Sequence, residues 1–145
     1  MKSWNHRFGF LLIYSGLFWA FISIAFASEY VVVANKGVPY NSLSKAELKD
    51  LFLGDKTRWD DGKPVKIAVL DGGAASKAFL QSVVGKTPSQ YELFWKKLVF
   101  TGKAAAPKSF DDATDLAQFV SGTSGAIGFV ADGQAGNSVK TISIK

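Results

Sequence analysis

Apolar and polar positions alternate in blocks along the chain, and each block reads as one element. Tyr30-Val31-Val32-Val33-Ala34-Asn35 is a nearly continuous β-branched run, the pattern of a strand buried on both faces. It runs into the turn Lys36-Gly37-Val38-Pro39. Ser44-Lys45-Ala46-Glu47 then has the spacing of a capping box, with Leu48, Leu51 and Phe52 as the apolar face and Gly54 as the stop. Asp55 to Pro64 is polar, with Asp60-Asp61-Gly62 as a turn. Val65 to Leu70 predicts a second strand, and the spacing that follows predicts a helix from about Ala74 to Val84 with Phe79, Leu80 and Val83 inward.

Thr87-Pro88-Ser89-Gln90 places a hydroxyl at the N-cap, proline at the first helical position and glutamine at the third. The helix it opens carries Tyr91, Phe94, Trp95 and Leu98, an i, i+3, i+4, i+7 stripe that predicts core packing. Phe100 ends that helix; the alternative to core packing is that Trp95 or Phe100 contributes to an exposed partner patch. Lys103 to Lys108 reads as a loop. Asp111 to Val120 predicts a fourth helix closed by Gly122. Ala126 to Val130 and Val139 to Ile144 predict the last two strands. Strands and helices interleave, so the expectation is an α/β domain with helices against a mixed sheet.

The first 27 residues have a different pattern. Lys2 and Arg7 precede an apolar stretch from Phe8 to Ala27 that ends in Ala25-Phe26-Ala27 before Ser28. These are the marks of a secretory signal peptide cleaved after Ala27, which predicts a periplasmic chain running from Ser28 to Lys145. The stretch is also long enough to span a bilayer, so a retained anchor is the alternative.

Charge narrows the partners. Removing Lys2 and Arg7 from the 17 basic residues leaves 15 against 12 acidic ones, a formal charge of +3. The basic residues are spread out, which does not mark a nucleic-acid binder. The single histidine is His6, and there is no cysteine. Residues 28 to 145 therefore lack Ser-His-Asp triads, Cys-His pairs and the usual zinc sites, and no enzyme activity or cofactor is expected. Asp60-Asp61 lacks the further spaced oxygen ligands of a calcium loop, so no metal is expected. Trp59 beside them is read as folding back into the core, with a partner contact as the alternative.

Three segments carry a resemblance. Leu51-Phe52-Leu53-Gly54-Asp55-Lys56-Thr57-Arg58-Trp59-Asp60-Asp61-Gly62 resembles the "IFLG…WxDG" element of the phosphate-binding proteins of phosphate ABC transporters. Ser124-Gly125-Ala126-Ile127-Gly128-Phe129-Val130 resembles their "pGAIGYV" element. Tyr91 to Gly102 is similar to the same stretch in a short, single-domain branch of that superfamily. The resemblance implies one lobe of a type II periplasmic-binding-protein-like fold. It also implies binding of a small oxyanion, phosphate first, by backbone N–H groups at a helix start, with an ABC permease as a partner.

The family's "R-S-x-G-S-G-T" element is altered here to Leu70-Asp71-Gly72-Gly73-Ala74-Ala75-Ser76-Lys77, which lacks the arginine. The expected ligand set is Asn35 and Lys36 at the end of the first strand together with Asp71, Gly72, Gly73, Ala74, Ala75, Ser76 and Lys77. A glycine-rich turn of this kind can equally bind nothing. The alternative function is then a ligand-free interaction module that docks on another envelope protein. A homodimer that supplies the missing lobe is a further expectation.

Overall fold

The computed structural model describes residues 29–145. The predicted signal peptide and cleavage site lie outside the described residues. Six strands form one mixed sheet in the order β2-β6-β1-β5-β3-β4. They are β1 (Tyr30–Ala34), β2 (Ser42–Leu43), β3 (Lys66–Leu70), β4 (Lys108–Phe110), β5 (Ala126–Ala131) and β6 (Lys140–Ile144). β1 runs antiparallel to both β5 and β6, whereas β3 runs parallel to both β5 and β4. Four helices cover the sheet: α1 (Lys45–Phe52), α2 (Gly73–Phe79), α3 (Pro88–Phe100) and α4 (Ala113–Gly122). α2 passes directly into a π-turn, Leu80–Val84.

The period of two along each strand sorts side chains onto two cores. On one face Val32, Ala34, Ile127 and Phe129 meet Leu48, Leu51 and Phe52 of α1, Phe79 of α2, and Tyr91 and Trp95 of α3. On the other face Val33, Ala68, Ala126 and Val130 meet Leu116, Ala117 and Val120 of α4. The continuous apolar run of β1 is thus explained, because helices lie on both sides of it. Phe79 is fully buried; its ring stacks on Phe129 at 4.2 Å and meets Phe52 edge-on at 4.7 Å. Burying one such side chain stabilises the fold by roughly 1.5–3 kcal/mol.

Both capping boxes form. Ser44 and Glu47 exchange hydrogen bonds at the start of α1, and Thr87 and Gln90 do so at the start of α3. Three expectations are corrected. β2 and β4, two-residue and three-residue strands held by their neighbours β6 and β3, lie where no strand was expected. The second predicted helix is divided between α2 and the π-turn. Gly122 does not close α4 in a left-handed turn; it is the last helical residue, and the chain leaves through an extended Thr123.

Candidate functional site

β3 ends at Leu70, and the chain turns through Asp71 and Gly72 into α2. Gly72 is the N-cap, at φ 85° and ψ −175°, a backbone region that is essentially closed to residues with a Cβ. No side chain caps α2, whereas Ser44, Thr87 and Asp112 cap α1, α3 and α4. A Cβ built on Gly72 or Gly73 would meet nothing within 4 Å. The α2 start is therefore an exposed, uncapped end whose first N–H groups have no partner within their own helix.

The predicted site residues fall into two groups. Asp71, Gly72, Gly73, Ala74 and Lys77 are exposed at this turn, and Ala75 and Ser76 are buried under it. The amide of Asp71 donates to the Phe110 carbonyl at 2.8 Å, which ties the turn to β4. Ser76 is 1% exposed, and its hydroxyl donates inward to the Leu70 carbonyl at 3.0 Å. Its oxygen keeps only acceptor capacity, so it holds the turn in shape.

The structure does not bring Asn35 and Lys36 to this turn. Ala34 lies level with Ile127, which lies level with Ile67 at the start of β3. Because β1 runs against β3, its end is at the opposite edge of the sheet from Leu70, roughly 10 Å away along the strands. The Asn35 side-chain amide donates to the Val120 and Ser121 carbonyls at 3.0 Å each, and its Oδ1 accepts from the Gly37 amide at 2.9 Å. Asn35 thus closes the end of α4, the task assigned from sequence to Gly122.

Charge is uneven between the two edges. By strand direction, Glu29, Asp71, Asp111, Asp112 and Asp132 sit at the edge where α2 begins, with Lys77 on α2 among them, and Lys36, Lys63 and Lys66 sit at the Asn35 edge, with Asp61 beside Lys63. Among the described residues, no group of three or more His, Cys, Asp or Glu is placed to hold a metal ion.

A groove of about 790 Å³ opens beside the turn. Leu70, Asp71, Gly72 and Ser76 line one side, Trp95 and Phe100 of α3 the other. Sequence reasoning missed it, because its walls come from β3, α3 and the chain around Pro107. Only the alternative reading of Trp95 or Phe100 as an exposed partner patch pointed toward it.

The motifs that carry the resemblance meet each other, away from this turn. Trp59 is 3% exposed, and its indole N–H donates to the Gly125 carbonyl at 2.9 Å. Gly125 has φ 77°, and a Cβ there would lie 2.2 Å from the Pro64 carbonyl oxygen. The Asp pair is also occupied. Asp60 accepts from the Tyr40 hydroxyl and from Lys56, which hold its carboxyl below the usual range, and Asp61 pairs with Lys63 at 3.5 Å.

Solved structures with a similar fold are known. An ABC-type phosphate transport receptor from Vibrio cholerae superimposes with a TM-score of 0.61 at 17% identity, over 80% of this chain and 46% of that one. The chain has the fold of phosphate transport receptors. A substrate-binding protein structure with bound phosphate from Clostridium perfringens shares this receptor fold at a TM-score of 0.61 and 18% identity, over 80% of this chain and 44% of that one. PstS from Borrelia burgdorferi does so at 0.60 and 15%, over 81% and 47%. The chain spans less than half the length of these relatives. No protein-family model matches it. No curated protein matches it either. Among the described residues, no helix is long and apolar enough to cross a membrane.

Proposed function

We propose that the chain is an exported, single-lobe solute-binding protein that holds a small oxyanion, phosphate first, and performs no chemistry on it. The observation that carries this reading is the open start of α2, with no side-chain cap and nothing above Gly72 and Gly73. Amide dipoles converging there favour negative charge. The likeness in fold to receptors, one of them with phosphate bound, supports a small oxyanion as the ligand. The ligand set then narrows to Asp71, the amides of residues 72 to 75, and Lys77 as the nearby cation; Ser76 holds the turn, and Asn35 and Lys36 are left out.

Asp71 gives the site a preference. Ionised, it only accepts hydrogen bonds, so it favours an oxyanion that still carries an O–H and disfavours one that does not. Phosphate at neutral pH has that proton and sulfate lacks it. A ligand resting on one lobe stays in contact with water, so each contact is weaker than in a closed cleft. Binding is expected near the millimolar range, about −4 kcal/mol. An ABC permease would be the partner in transport.

Calorimetry on residues 28–145 tests the reading. Phosphate should give saturable heat that sulfate does not match and that Gly72→Ala reduces. No heat and no thermal shift with millimolar phosphate would overturn it. Mass spectrometry of the exported protein should find Ser28 as the first residue.

The alternative, an interaction module on the same scaffold, draws on a different observation: Phe100 is 93% exposed beside the groove. Trp59 cannot serve as its docking residue, because it is buried against Gly125. Capture of an envelope protein by wild type and not by Phe100→Ser, with no response to phosphate, would favour the module.

A further inference from the structure

The face of α3 that walls the groove carries its own complement. Pro88, Ser89, Glu92, Lys96, Val99 and Phe100 all line the groove. At 3.6 residues per turn they form one continuous strip. About the level of Phe94 the strip has matching ends: Pro88 mirrors Phe100, Ser89 mirrors Val99, and Glu92 mirrors Lys96. Phe100 is 93% exposed and Val99 42%. The Glu92–Lys96 pair, 2.6 Å apart, is also open to water, with side-chain exposures of 66% and 69%. An exposed pair of this kind contributes little to stability, so both heads are available to further partners.

We propose that this face binds a second copy of the chain, α3 against α3, antiparallel about a twofold axis level with Phe94. Each Glu92 then lies beside the partner's Lys96, and two intrahelical pairs join into one four-charge network. Each Phe100 crosses the partner's Pro88 and enters the partner's groove above Leu70 and Leu80. A twofold contact requires one surface that fits itself, and this strip supplies a protruding ring, a recess to receive it and both signs of charge. Area points the same way. A stable interface buries about 1,200 Å² or more. α3 is only about 20 Å long, so a helix stripe falls short and filling the groove must supply the rest. A small molecule in the groove would leave the outer face of Phe100 in water, whereas a second α3 covers it. The partner thereby contributes a residue to the cavity that holds Asp71, Gly72 and Ser76. This inference does not depend on the oxyanion reading, and its test involves no anion.

The test is sedimentation equilibrium and light scattering on protein expressed from the full chain. Wild type should be dimeric. Phe100→Ser should weaken the dimer by about tenfold or more, as truncating a central aromatic anchor does. Glu92→Lys and Lys96→Glu should each weaken it by setting like charges together. The double variant Glu92→Lys/Lys96→Glu should recover most of the affinity. These positions are exposed, so circular dichroism should be unchanged; if Phe100→Ser disturbs it, Phe100→Gln replaces it. A wild type that is monomeric at every attainable concentration overturns the proposal. So does a dimer indifferent to the Phe100 variant, or a double variant no tighter than the single ones.

Discussion

The two ends of the sheet are built on opposite principles. At the Asn35 end the polar groups are spent on the protein itself. The Asn35 amide closes α4, and the Trp59 indole closes on Gly125. At the Gly72 end the α2 start has no side-chain cap, two glycines face open space, and a groove lies alongside. Substitutions at the first end should therefore damage stability, and substitutions at the second should damage binding more than stability. A glycine shows the contrast best, since Gly125 and Gly72 both have positive φ but sit in very different surroundings.

Gly125→Ala should have the largest effect. The new Cβ would lie 2.2 Å from the Pro64 carbonyl oxygen, a backbone atom that cannot move aside without separating β3 from β5. The loss should be about 3 kcal/mol or more by urea denaturation, combining overpacking with a strained φ. A loss under about 1 kcal/mol would mean that the closed end is looser than its contacts imply.

Asn35→Ala comes next. It leaves the Val120 and Ser121 carbonyls without their donor and should cost about 1–2 kcal/mol. Phosphate heat should be unchanged once the protein is folded. If binding disappeared while stability held, Asn35 would belong to the ligand after all and the division between the ends would fail.

Gly72→Ala sharpens the comparison from the other side. Its Cβ meets nothing, so only the backbone strain remains, about 1–3 kcal/mol. To relieve it, the turn must rotate the first amides of α2. Phosphate heat should fall by several-fold, a larger proportional change than in stability.

How much of this was legible in the chain follows from how local each feature is. The starts of α1 and α3 were readable because Ser44-x-x-Glu47 and Thr87-x-x-Gln90 complete their hydrogen bonds within four residues. β2 was not, because Ser42 and Leu43 are strand only through Ser143 and Ile144, a hundred positions later. The role of Asn35 was half legible. Its place at a strand end was plain, but the edge it occupies depends on β1 running antiparallel to β5, and no local pattern encodes that. The motifs behind the resemblance reported the fold faithfully for a physical reason: Trp59 and Gly125 lock each other in place, so they mark the scaffold and not the turn at Gly72.

The smallest effect comes from acid, and it also separates a capped helix from the open one. At the start of α1, Glu47 accepts the Ser44 backbone amide at 2.7 Å, and that bond, followed by the Ser44 hydroxyl, holds its carboxyl below the ordinary value. In this range the unfolded chain binds a proton more readily than the folded one, so stability rises with pH. The contribution is complete above the ordinary glutamate range and is lost as pH falls through it and past the lowered folded value. α2 has no acidic residue in its first turn and makes no matching contribution. Glu47→Gln should therefore flatten the acid side of the stability curve slightly, leaving stability at higher pH only a little reduced. Urea midpoints between neutral pH and pH 3, about the foot of the carboxylate range, will show it. An unchanged slope would mean that the capping box at α1 is no tighter, in solution, than the bare start of α2.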